Sequence, residues 1–62
     1  MNISTEHMTK TLRSLLKERE TESVSSLNYA KITVDIMWLE KALSKRDVDV
    51  RKIFEDFFAS QG

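Results

Sequence analysis

Large apolar residues recur along the chain at helical spacing in three stretches. In the first, Met8, Leu12, Leu15 and Leu16 stand at i, i+4, i+7 and i+8, the stripe of an amphipathic helix. Ser4 precedes it as a candidate N-cap, and Glu6 in the first turn suits the positive end of the helix dipole. Lys10, Arg13 and Lys17 fall on the opposite side. The pattern predicts a helix over about residues 5–20.

The second stretch is apolar on two faces. At about 100° per residue, Tyr29, Ile32, Ile36, Leu39 and Leu43 form one seam with the 3, 4, 3, 4 spacing of bundle packing. Leu27, Ala30, Val34 and then Met37 or Trp38 repeat that spacing nearly opposite. Asn28 and Asp35 on one side, with Thr33, Glu40 and Ser44 on the other, leave only narrow polar strips. A helix apolar nearly all round is normally a buried one. The serines of the link T-E-S-V-S-S, residues 21–26, favour helix entry, with Ser25 or Ser26 as cap. A helix over about 27–44 follows.

In the third stretch Val50, Ile53, Phe54, Phe57 and Phe58 form the apolar stripe. Ser44 with Asp47 three residues later resembles a capping box, Asp standing for the usual Glu or Gln, and places this helix over about 47–60. Phe57 and Phe58, close to the last residue, are either core anchors or contact residues. A rival reading concerns K-I-T-V-D-I, residues 31–36, where β-branched Ile32, Val34 and Ile36 alternate with Thr33 and Asp35 as in a strand. Its only candidate partner, D-V-D-V at 47–50, lies beyond a strongly helical segment, so helix is the better reading. The expected fold is all-α, a small three-helix domain over residues 1–62.

The first and third helices are short cover for a segment apolar on two sides. They can bury the Ile32–Leu43 seam, but Leu27, Val34, Met37 and Trp38 would then form a larger apolar patch than soluble monomers usually show. The economical resolution is a second copy packed antiparallel about a two-fold axis, a helical-bundle homodimer, with those four residues at a protein interface. The plainer alternative is a monomeric three-helix bundle with Trp38 in the core, the stems of Lys31, Lys41 and Lys45 covering apolar surface while their ammonium groups stay in water.

Composition narrows the possibilities further. A chain of 62 residues buries only roughly 60% of the surface its unfolded form exposes, so regular helix packing or association must supply stability. There is no Cys and no Pro, and the one Gly is the last residue. Disulfides and thiolate metal sites are therefore excluded. Ten basic residues balance ten acidic ones, without a basic arm or an acidic tail. No apolar run approaches the ~20 residues of a membrane span, and M-N-I-S-T-E-H lacks the charged and apolar regions of a leader peptide. A cytoplasmic protein without membrane attachment is expected.

Candidate chemistry is sparse. His7 is the only histidine, placed where a solvated side chain is the plain expectation, and no serine has an evident base beside it. Asp47 and Asp49 are explained by the dipole at a helix start, and Arg51 and Lys52 stand four residues before Glu55 and Asp56 as surface pairs. No Gly-rich phosphate loop occurs, and three short helices cannot enclose the ~300 Å³ of an ordinary small-molecule site. No catalysis, cofactor or metal is expected. Lys10, Arg13 and Lys17 offer a face for an acidic partner or for phosphates, but Glu6 and Glu20 interrupt it, and R-K-I-F-E-D-F-F is too acidic and aromatic for a recognition helix. The expectation is a small protein-binding module, an adaptor, regulator or inhibitor of a larger protein. A dimeric DNA-binding transcriptional regulator is the alternative.

Overall fold

The computed structural model describes residues 3–61 and consists of three helices: α1 over Thr5–Glu20, α2 over Leu27–Ser44 and α3 over Val50–Gln61. No strand occurs among the described residues, and the alternating segment 31–36 lies within α2. Its β-branched residues fit the helix because the 3.6-residue period carries Ile32 and Ile36 into the core while Val34 turns away. Met1 and Asn2, on which the leader-peptide expectation partly rests, and Gly62 lie outside the described residues.

Serine caps set the starts of α1 and α2. The Ser4 hydroxyl accepts from the His7 backbone N–H at 3.1 Å, and the Ser26 hydroxyl from that of Tyr29 at 3.0 Å, each satisfying a donor that the first helical turn leaves free. At the end of α1 the Thr21 hydroxyl donates to the Glu18 carbonyl at 2.7 Å, and the Thr21 and Glu22 N–H groups donate to Glu18 and Arg19. These short bonds close the helix without a glycine.

α1 and α2 pack as an antiparallel pair fastened at both ends. Near the end of α1, the Arg19 guanidinium donates to the Thr33 hydroxyl of α2 at 3.4 Å and lies 5.5 Å from the centroid of the Tyr29 ring. Near the end of α2, the Arg46 guanidinium donates to the Ile3 carbonyl at 2.6 Å and to the Thr5 hydroxyl at 3.3 Å. Between these ties lies the core. Met8, Leu12 and Leu16 of α1 meet Ile32, Ile36 and Leu43 of α2, and Val50, Ile53 and Phe57 of α3 join them. Leu15, Leu39, Ala42, Val48 and Phe54 pack partly buried around this cluster.

α3 begins three residues later than the Ser44–Asp47 pattern predicts, at Val50. Asp47 does not act in a capping box. It adopts a left-handed backbone with φ of 60°, and the chain leaves α2 through a crossed pair of bonds, Val48 N–H to the Leu43 carbonyl and Asp47 N–H to the Ser44 carbonyl, each 3.1 Å. This is the Schellman ending, usually built on glycine, with apolar contact between the residue after the left-handed one and the last helical turn. Val48 and Leu43 occupy those two places and both belong to the core assembly. The side chain that serves α3 is Asp49, whose carboxylate accepts from the Lys52 N–H at 3.3 Å.

The resulting envelope is flat. The Cα principal extents are 32 × 28 × 14 Å and the radius of gyration is 11.9 Å, against about 10.6 Å for a compact chain of this length. The accessible surface is 4886 Å², where a compact monomer of the same mass exposes about 4,100 Å². α3 touches both other helices only sparsely. The excess surface follows from that arrangement: one side of the α1–α2 pair is covered and the other is not.

Candidate protein-docking face

The uncovered side is the outward face of α2. Leu27 is 78% exposed, Val34 53%, Met37 52% and Trp38 72%. Trp38 is therefore not a core residue of this chain, contrary to the alternative that placed it in the core of a monomeric bundle. On the opposite side of the same helix Ile32, Ile36 and Leu43 are buried, with Leu39 and Tyr29 half-buried. The two apolar seams of α2 thus have different fates. The regular seam meets α1 and α3, and the second meets water.

Cost and capacity explain the asymmetry. α1 and α3 each place three residues in the core, Met8, Leu12 and Leu16 from one, Val50, Ile53 and Phe57 from the other. Both contribute to the regular seam, whose Leu43 is completely enclosed. The second seam carries lysines at Lys31, Lys41 and Lys45, all exposed, and enclosing it within one chain would take those ammonium groups out of water.

Val34, Met37, Trp38 and Ala42, together with Lys41 and Lys45, line an open groove of about 490 Å³ on this face. Two shallower depressions continue it, one toward Ala30, Lys31 and Asp35 and the other toward Glu40 and Ser44. The groove is an open trough lined by apolar side chains with Lys41 and Lys45 among them, and Asp35 and Glu40 in the adjoining depressions make the charge on this face mixed. Phe58 adds exposed apolar surface on α3. It stands edge-on to Phe57, with ring centroids 5.3 Å apart and planes at 77°. The two adjacent phenylalanines have divided roles: Phe57 anchors α3 and Phe58 is half exposed.

Lys10, Arg13 and Lys17 are all exposed along the outer side of α1. Glu6 and Glu20 are exposed on the same helix, so the face is mixed rather than a continuous cationic stripe. His7 is exposed and contributes its backbone N–H to the Ser4 cap. Among the described residues no polar or charged side chain is buried, and no group of three or more His, Cys, Asp or Glu side chains is placed to hold a metal ion. No described helix is long and apolar enough to cross a membrane.

The long-range ties of Arg19 and Arg46 were not legible in the sequence. A partial signal existed for Arg19, since a basic residue in the last turn of a helix favours the negative dipole end, but nothing local names Tyr29 as its neighbour. No family model, curated protein or solved structure matches this chain.

Proposed function

We propose that this protein is a small non-catalytic binding module whose working surface is the outward face of α2, and that it acts as an adaptor, regulator or inhibitor of a larger protein. The observation carrying this reading is the joint exposure of Leu27, Val34, Met37 and Trp38 on one helix face. Such a patch is costly in water, and tryptophan and methionine are among the residues enriched at protein interfaces. A second copy of the chain is one occupant that the apolar pattern suggests, giving a homodimer through α2. The mixed charge along α1 favours a protein partner over DNA, because the stripe of Lys10, Arg13 and Lys17 is broken by acids that would face phosphates.

Affinity capture from extract of the source cell tests the reading, comparing wild type with Trp38→Arg. Since Trp38 is exposed, the variant keeps its helical circular dichroism and loses the captured proteins. Equal recovery by both baits would place the working surface elsewhere. Titration with duplex DNA at several salt concentrations tests the DNA alternative. A steep salt slope supports a regulator on DNA, and no binding at low salt removes it.

A further inference from the structure

We infer that α3 can leave its own core and complete that of a second copy, the turn after α2 straightening so that α2 and α3 run as one helix over residues 27–61. The spacing of the inward-facing positions carries this inference. The seam of α2 advances from Tyr29 to Leu43 in steps of 3, 4, 3 and 4, and the stripe of α3 runs from Val50 to Ile53 and Phe57 in steps of 3 and 4. From Leu43 to Val50 is one full heptad, so the two stripes are in phase across the turn that separates them. A turn that only redirects the chain leaves that phase unconstrained, whereas one uninterrupted helix requires it. Arg46 takes the remaining seam position, three residues after Leu43 and four before Val50, and is the one charged residue on the combined stripe.

The turn itself points the same way. Residues 45–49 contain neither Gly nor Pro, so nothing in them forbids a helix. As folded they hold Asp47 at φ of 60°, a conformation that strains a residue with a side chain, and straightening releases that strain. The crossed bonds from Asp47 and Val48 and the Asp49 cap on Lys52 are given up, and the regular bonds of a continuous helix replace them. A single open chain would expose Leu43, Val50, Ile53 and Phe57, all buried here, at a large cost in water. A second copy opened in the same way supplies the missing α3 to each, so the same apolar contacts form between chains. α3 is also the element with least to detach, since it touches α1 and α2 only sparsely. The exchange leaves the outward face of α2 uncovered, so it is independent of what docks there.

The test compares Asp47→Ala, which penalises the left-handed turn and favours helix, with Asp47→Gly, which relaxes the turn and disfavours helix. In sedimentation over a concentration series, the alanine variant is expected to dimerise at a midpoint concentration about a hundredfold or more below that of the glycine variant. The chain has no Cys, so spin labels can be placed through Asn28→Cys and Ala59→Cys, both at exposed positions. With labelled chains diluted into unlabelled ones, the dimer is expected to give a distance of about 45 Å within one chain, that of a straight helix. The closed molecule is only 32 Å in its longest Cα extent. A dimer that keeps the shorter distance overturns the exchange, and Trp38 shielded from quencher in that dimer assigns it to paired outward faces. Equal midpoints for the two variants, or monomers throughout, also overturn it. An alanine variant whose helical circular dichroism stays low at every concentration does the same, because the turn then cannot be replaced by helix. The capture with Trp38→Arg judges the docking face separately and does not bear on this result.

Discussion

The Arg19 guanidinium lies 5.5 Å from the centroid of the Tyr29 ring while donating to the Thr33 hydroxyl at 3.4 Å. The Thr33 hydroxyl in turn donates to the Tyr29 backbone carbonyl at 2.8 Å. Its proton is thus committed within α2, and its lone pairs are left for Arg19. One arginine binds both the face of a ring and a hydroxyl fixed in the turn above it. This joins the last turn of α1 to the first turns of α2 beside the six-residue link 21–26.

Arg19→Ala is expected to cost about 1 kcal/mol, the sum of a part-exposed cation–π contact and one side-chain hydrogen bond. Arg19→Lys keeps the charge but loses the planar group that reaches both partners, and it restores only part of that stability. Urea unfolding followed by circular dichroism reads both effects as a shift in midpoint with unchanged slope. If Arg19→Ala unfolds at the wild-type midpoint, the contact contributes nothing to holding the pair.

The assignment of α2's two faces makes a sharper prediction. A chain of 62 residues has a total stability of about 3–9 kcal/mol, and Leu43→Ala, in a fully enclosed site, costs about 2–5 kcal/mol. That variant is expected to lose a large share of this stability and to melt many degrees below wild type. Met37→Ser, on the same helix but on the outward face, is expected to stay within about 0.5 kcal/mol of wild type. Thermal melts of the two variants settle the orientation, and comparable losses would mean that both faces are enclosed.

Much of this arrangement was legible in the sequence because its signals are local. The 3, 4, 3, 4 seam ending at Leu43 marks the side of α2 that packs, and Ser4 and Ser26 mark two helix starts within one turn of the residues they cap. The double-sided apolar character of α2 gave the candidate face, and Leu27, Val34, Met37 and Trp38 all lie exposed on it. Three features were not legible, for physical reasons. Asp47 in a left-handed conformation is a glycine's task performed by another residue, so composition does not announce it. The pairings of Arg19 with Tyr29 and of Arg46 with Ile3 join residues distant along the chain. The different fates of Phe57 and Phe58 depend on the angle at which α3 meets the pair, which no periodicity encodes.

The corrected start of α3 separates two carboxyl- or hydroxyl-bearing candidates. Asp49 accepts from the Lys52 N–H, so Asp49→Ala is expected to cost about 1 kcal/mol through the lost cap. Asp49→Asn, which retains an acceptor oxygen, recovers most of it. Ser44→Ala is expected to be neutral within about 0.5 kcal/mol, because the bond at that residue uses its backbone carbonyl and not its hydroxyl. Chemical denaturation of the three variants distinguishes this geometry from a capping box at 44–47, for which the order of Ser44 and Asp49 would be reversed.

Asp47 itself offers a stabilising change. Its φ of 60° places Cβ close to the following carbonyl, a conformation costing a non-glycine residue roughly 1–2 kcal/mol, less for Asp than for most because its short side chain bonds locally. Asp47→Gly removes that cost but makes the unfolded chain more flexible. The net gain is expected to be about 0.5–1 kcal/mol, raising the melting temperature by several degrees in a domain this small. Asp47→Val should lose at least as much as glycine gains, since a β-branched residue tolerates positive φ poorly. The sign of the difference between the two variants is the decisive quantity. It follows from the backbone alone, because Asp47 is exposed and contributes nothing to the core. A valine variant as stable as the glycine one would show that α2 ends in solution by some route other than the crossed bonds from Asp47 and Val48.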